Sequence, residues 1–265
     1  MEEKNIVRSK AIGSHHDTAG LFFNRYEIME KNSYANLFVY GRKKLFEKIF
    51  VFLTENVKYS ASILDVGCGT GYFLKKLSAF GYTVVGTEPA VGMRQRALEL
   101  NPGVRIEEAT VAYLPYPDDE FDAVTAIEVF RYLDNNDRRN GYRECLRVLK
   151  PGGFLIITLV NKYALDGFIL LYWYRLLKEK LFGVSIVSYC DATTPSEVKK
   201  YFKQEFNVEA ETYACMFSPL RLIYKVNSKI GESFARSLEK FDENLSNKKW
   251  WQPFAGHLIT VIKKS

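Results

Sequence analysis

Apolar and polar positions along this chain change period several times, and the changes divide it into helices and short strands. From Leu21 to Val57, apolar residues recur at helical spacing through LFFNRYEIM and YANLFVYGRKKLFEKIFVFL, which predicts a helical lead-in. Residues 1–15 show no period and are expected to be loosely held. Short runs of strand formers then fall at 62–66, 82–87, 104–107, 121–127 and 153–159. Helical patterns at 72–80, 90–100 and 137–149 lie between them, and Pro151-Gly152-Gly153 marks a turn before the fifth strand. Strands alternating with helices predict an α/β fold built on a doubly wound, mostly parallel sheet. Two further strands are expected at Phe206–Met216 and His257–Lys263.

Two segments exceed this alternation. Residues 161–205 contain ALDGFILLYWYRLLKEKLFG, helical and heavily aromatic, and residues 217–255 separate the last two strands and end in NKKWWQPF. Both are expected to emerge near the carboxyl ends of the sheet, where ligands bind, as helical lid insertions rich in Trp and Tyr (Trp173, Trp250, Trp251). The expected division is a helical cap over 1–60, a Rossmann-like core over 61–160, a lid insertion over 161–205, and the last two strands over 206–265 with a helical insertion at 217–255.

The chemistry is concentrated in ILDVGCGTGYFL, Ile63 to Leu74. A strand runs into Gly67, Gly69 and Gly71, and a helix follows, which is the layout of a nucleotide site at a sheet edge. Glycines allow a tight turn and close approach of a ligand to the backbone. Asp65 stands just before them, where an acid repels a pyrophosphate, and the loop has neither the Lys of a phosphate loop nor the dinucleotide spacing. A ligand with a cationic head and an adenosine tail fits better. Glu88 ends the next strand, near the offset at which a carboxylate accepts both ribose hydroxyls.

With these residues the chain resembles the class I S-adenosylmethionine-dependent methyltransferases, closest to the group that includes the ubiquinone and menaquinone biosynthesis enzymes. LDVGCGTG (Leu64–Gly71) and GTEPAVGM (Gly86–Met93) resemble that family's first two motifs. LPYPDDEFDAVTAIEVF (Leu114–Phe130) and LRVLKPGGFLIIT (Leu146–Thr158) resemble its later ones, in order and spacing. The resemblance implies a seven-stranded sheet whose last strand is antiparallel, and S-adenosyl-L-methionine as cofactor. It places Gly67 and Gly69 under the methionine part, Asp65 near its ammonium group and Glu88 on the ribose hydroxyls, with Cys68 and Gly71 completing the loop. Pro89 and Met93 would pack on adenine, which is also ordinary for an apolar helix start. Thr110 and Val111 stand where the family often has Asp-Ala, so the adenine amino group loses an acid partner. Arg42 would meet the cofactor carboxylate, and Tyr34, like Tyr26 and Tyr40, would line the pocket; a surface charge and helix packing are the plainer alternatives.

Candidates for catalysis are Glu128 at the end of the fourth strand, Tyr132 four residues on, and His16, with His15 beside it, ahead of the helical lead-in. A base is needed only if the acceptor must lose a proton. His257 opens the last strand and reads as structural. No Asn/Asp-Pro-Pro-Tyr follows the fourth strand, where IEVF stands, and no Pro-Cys occurs, which argues against methylation of exocyclic base amines and of cytosine C5. Asp134 and Asp137 read as helix capping, not as metal ligands.

Charge changes the picture little. The net +6 is uneven: residues 1–60 carry 10 Lys and Arg against 7 Asp and Glu, 61–160 carry 11 against 13, 161–217 carry 7 of each, and 218–265 carry 9 against 4. The basic ends suit a solvated surface, an acidic substrate, a membrane surface or RNA. Cys68, Cys145, Cys190 and Cys215 have no metal or CxxC spacing and read as reduced thiols of a cytoplasmic protein, with no metal expected. The charged leader MEEKNIVRSK does not read as a signal peptide, and the apolar run Gly167–Tyr174, between Asp166 and Arg175, is too short to span a bilayer. A methyltransferase for a small apolar or aromatic acceptor is expected. DNA is not an expected partner, and weak contact with a membrane surface or lipid-like substrate is compatible with the aromatic segments. RNA or protein methylation, or cofactor binding without catalysis, are the alternatives.

Overall fold

The computed structural model describes residues 2–165, 168–183, 192–216, 218 and 220–265. Cys190, Asp166 and Gly167 lie outside the described residues. In chain order the elements are α1 (Glu2–Lys31), α2 (Leu37–Asn56), β1 (Ser62–Val66), α3 (Tyr72–Phe80), β2 (Thr83–Thr87), α4 (Val91–Leu100), β3 (Arg105–Glu107) and β4 (Phe121–Ala126). There follow α5 (Asn135–Val148), β5 (Leu149–Asn161), α6 (Phe168–Phe182), β6 (Ala192–Thr193), α7 (Pro195–Phe206), β7 (Ala210–Cys215), α8 (Leu220–Val226), α9 (Ser228–Ser246) and β8 (His257–Lys263).

The strands form one sheet in the order β3-β2-β1-β4-β5-β8-β7. β1 to β5 are parallel neighbours, whereas β8 pairs antiparallel with both β5 and β7. The expected seven-stranded path is present, and a two-residue β6 adds an eighth strand beside the end of β5. Both faces are covered, and the period of two shows in the packing. Ile63 of β1, Ala123 of β4 and Ile156 of β5 pack toward α2 and α3. Leu64, Val124, Leu155 and Ile157 pack toward α5 and α7, against Tyr142 and Phe202.

Three expectations are corrected. The leader is not loose: α1 is one helix from Glu2. It docks on the start of α4, with Ala19 buried against Ala90 and Met93. A Cβ at Gly92 would stand 2.7 Å from the His16 carbonyl, so the two backbones are in close contact. That docking, and not an apolar period, explains the helix. Second, residues 161–205 are not all lid. Pro195 starts α7 behind a capping box made by Thr194 and Glu197, and Val198 and Phe202 are buried on the sheet. Phe206 ends that helix, and β7 begins only at Ala210, after Asn207 turns the chain with φ 54°. Third, the tryptophans do not form a lid. Trp173 on α6 is 61% exposed, and Trp250, 69% exposed, leans on Trp251 at 5.0 Å in a short 3₁₀ helix. Trp251 packs against Ala214 and Ala255.

The insertion before β8 is tied to α2. Lys44, buried, pairs with Glu239 and with Glu243 at 2.8 Å, and the Tyr34 hydroxyl donates to Glu239. Among the described residues no helix is long and apolar enough to cross a membrane.

Candidate active site

The carboxyl ends of β1, β2 and β4 open beneath α1 and α2 onto a cavity of about 520 Å³, within the size range of small-molecule sites. Its floor is the glycine loop. Gly67 and Gly69 have φ of +66° and +59°, in the left-handed region that favours glycine. A Cβ on Gly67 would stand 2.6 Å from Val129 Cγ2, but one on Gly69 would meet no protein atom within 4 Å. Packing therefore explains the first glycine, and open space stands over the second.

Two acids flank the loop. Asp65 is buried, and Thr125 Oγ1 donates to its Oδ1 at 2.6 Å. Burial, helped by the charge of Glu88, pushes the Asp65 carboxyl up to about 7, against the lowering effects of Thr125 and Arg42. Glu88 accepts from the Gly69 N–H and the Ala90 N–H, both at 2.9 Å. Burial nevertheless raises its carboxyl, since those two bonds lower it by less.

Across the cavity, Glu128 follows β4 with φ 63°, a backbone region that costs a non-glycine residue on the order of 1–3 kcal/mol. The surroundings hold it there. Its N–H donates to Thr158 Oγ1 at 2.7 Å, Arg131 Nη1 approaches its Oε2 at 2.7 Å, and His257 Nε2 lies 3.3 Å from its Oε1. Burial alone would raise the Glu128 carboxyl, but His257 and Arg131 outweigh it and hold the group well below the usual carboxylate range. The roof is aromatic. Tyr26 stacks on Tyr72 at 4.9 Å, Phe22 meets Phe38 edge-on at 5.4 Å, and His15 meets Tyr132 edge-on at 5.4 Å.

Residues 64–157 match the methyltransferase domain family. Over 98 residues the chain is 40% identical to a demethylmenaquinone methyltransferase of Clavibacter sepedonicus, covering 36% of this chain and 39% of that protein. Over 105 residues it is 33% identical to a ubiquinone biosynthesis O-methyltransferase of Alkalilimnicola ehrlichii, covering 38% and 42%. The chain spans less than two thirds of the length of the curated relatives it matches. A SAM-dependent methyltransferase from Thermotoga maritima has the same fold, with a TM-score of 0.59, 15% identity, and coverage of 94% of this chain and 98% of that one.

The cofactor of the methyltransferase class is S-adenosylmethionine, and the site fits it on this chain's own features. A cradle lies open above Gly69, a buried acid stands at either side of the loop, and Pro89 and Met93 give an apolar wall. Of the residues singled out from sequence, Asp65, Gly67, Cys68, Gly69, Glu88, Pro89, Met93, Thr110, Val111, Glu128, Tyr132 and Arg42 all line the cavity. Three do not. Gly71 faces α4, where the Asn101 amide donates to its carbonyl at 3.0 Å. His16 accepts from the Gly92 N–H at 3.0 Å, and its neighbour His15 lines the cavity instead. Tyr34 turns away to Glu239, under the Arg236 guanidinium. Tyr40 is buried in the core, whereas Tyr26 reaches the cavity.

Sequence reasoning missed several lining residues of the cavity, among them Phe22, Arg25, Phe38, Arg131, Arg221 and His257. His15, Phe22, Tyr26 and Met29 share one helical face, a signal available in the pattern. His257 had no local signal, because only the register of β8 beside β5 brings it to Glu128.

Proposed function

We propose that the protein transfers the methyl group of S-adenosylmethionine to a small, apolar or aromatic acceptor. The observation that carries this reading is one cavity with buried Asp65 and Glu88 at the glycine loop and an aromatic roof above it. When bound, the cofactor supplies an electrophilic methyl carbon on a sulfonium. The protein's part is to hold, align and exclude water. Asp65 holds the ammonium group, Glu88 the ribose hydroxyls, and Pro89 and Met93 the adenine. Glu128, fixed by Thr158, Arg131 and His257, sets the polarity of the wall across the cavity. The ubiquinone-biosynthesis and demethylmenaquinone methyltransferase relatives support an apolar, aromatic acceptor, which Phe22, Phe38, Tyr26 and Tyr132 would enclose.

Calorimetry with S-adenosylmethionine and S-adenosylhomocysteine, on wild type and Glu88→Ala, tests the cofactor half. Glu88→Ala is expected to weaken binding by about 1.5–3 kcal/mol, the scale of a lost charged acceptor. No binding by folded wild type would sink the proposal. A labelled methyl donor offered with phenols, quinols and tRNA tests the acceptor half: label in tRNA alone would favour an RNA substrate.

A further inference from the structure

The charged lining of the cavity is unequal, with four arginines, Arg25, Arg42, Arg131 and Arg221, against the three carboxylates Asp65, Glu88 and Glu128. Arg131 is engaged by Glu128 at 2.7 Å. Arg25 and Arg42 are different. Both are partly buried, and among the described residues neither guanidinium has a hydrogen bond or an ion pair. Both rest on the same ring: Arg25 Cζ lies 4.7 Å and Arg42 Cζ 5.3 Å from the Phe38 centroid. Arg25 also lies over Phe22 at 5.3 Å, and Arg42 over Phe46 at 5.8 Å.

Two guanidinium groups sharing one ring repel each other, and ring faces satisfy only part of their demand, leaving planar donor forks available for oxyanions. The cofactor does not balance this charge. S-adenosylmethionine brings a sulfonium and an ammonium against a single carboxylate, so its binding adds net positive charge. Its carboxylate occupies one guanidinium at most in the bidentate mode, and Arg42, whose charge acts on both Asp65 and Glu128, is the one placed to take it. Arg25 is then left with an aromatic ring and no anion.

Resting on the methyltransferase reading above, we infer that Arg25 and the Phe38 ring beneath it form an anion subsite for the methyl acceptor. The acceptor is thus an aromatic acid, its ring against Phe22 and Phe38 and its carboxylate or phosphate on the Arg25 fork. A planar fork and a stacked ring select for such a molecule over its neutral amide, because the amide cannot take both donors as an anion does.

The test is calorimetry on the full chain saturated with S-adenosylhomocysteine, titrated with 4-hydroxycinnamate, its neutral amide and phenyl phosphate. The inference expects an acid to bind at least about tenfold more tightly than the amide, the carboxylate and phosphate arms telling which oxyanion is preferred. Arg25→Gln should bring the acid down to the affinity of the amide while leaving S-adenosylhomocysteine within about twofold, and Arg25→Lys should fall between. Equal binding of acid and amide, no binding of either acid, or an Arg25→Gln loss that falls on S-adenosylhomocysteine would each overturn it. Failure of S-adenosylhomocysteine to bind wild type appears in the first titration, and removes the underlying reading together with this subsite.

Discussion

Asp65 is a carboxylate whose burial should be measurable in the stability of the whole protein. Its carboxyl moves from the ordinary 3.8 to about 7 on folding, chiefly by burial. Well below pH 3.8 the group is protonated in both folded and unfolded chains. Between about pH 4 and 7 the unfolded chain releases the proton and the folded chain keeps it, so stability falls as pH rises. Above about pH 7 both forms are ionised and the loss is complete. At about 1.4 kcal/mol for each pH unit, the loss from this group approaches 4 kcal/mol. Asp65→Asn removes it, and the amide oxygen can still accept from Thr125, whose hydroxyl now lies 2.6 Å away. Urea unfolding of wild type and Asp65→Asn, from pH 4 to 8 without cofactor, reads the difference directly. The variant should gain stability relative to wild type as pH rises, by up to about 4 kcal/mol, with little further change above pH 7.5. Saturation with S-adenosylhomocysteine, whose ammonium group favours the ionised acid, should shrink that gain. Parallel stability profiles for the two proteins would refute the reasoning, since other titrating groups contribute equally to both.

The two loop glycines should separate packing from ligand approach. Gly67→Ala combines a left-handed backbone with a 2.6 Å contact to Val129 and should lower the melting temperature more than Gly69→Ala, which should cost only about 1–2 kcal/mol. Calorimetry should show the reverse bias at Gly69, with cofactor affinity falling at least about tenfold from a methyl group placed in the open cradle. Lys44→Met removes one cation from Glu239 of α9, leaving it Lys43 at 3.7 Å and the Tyr34 hydroxyl, and should destabilise by about 1–3 kcal/mol, whereas Glu243→Gln, at a carboxylate whose side chain is 51% exposed, should be near neutral in urea unfolding.

Local sequence carries the central sheet and the glycine loop because both are written in consecutive residues. β1, β2, β3 and β4 fall within a residue of their expected bounds, since each is a short apolar run closed by turn residues. The loop from Asp65 to Gly71 and the acid Glu88 were legible for the same reason. Asp134 caps α5 as its spacing indicated, accepting from the Asn136 and Asp137 N–H groups at 2.9 Å.

Tertiary structure decided what depends on residues distant in the chain. The start of α1 lacks an apolar period, and the helix is held against α4 through Ile12, His16 and Ala19. The assignment of His15 to the cavity and His16 to α4 turns on one residue of helical rotation, which no pattern in a polar leader specifies. The roof came from α1 and α2 and not from the tryptophan-rich segments, since hydrophobic composition says that a surface will be covered but not by which element. Glu128 and His257 are 129 positions apart, and only the antiparallel pairing of β8 with β5 brings them within 3.3 Å. The sequence by itself determined the strand-loop-helix unit and its two acids, because short-range periodicity and turn chemistry are local. The far wall of the cavity and its arginines belong to the fold, because they are set by which elements pack together.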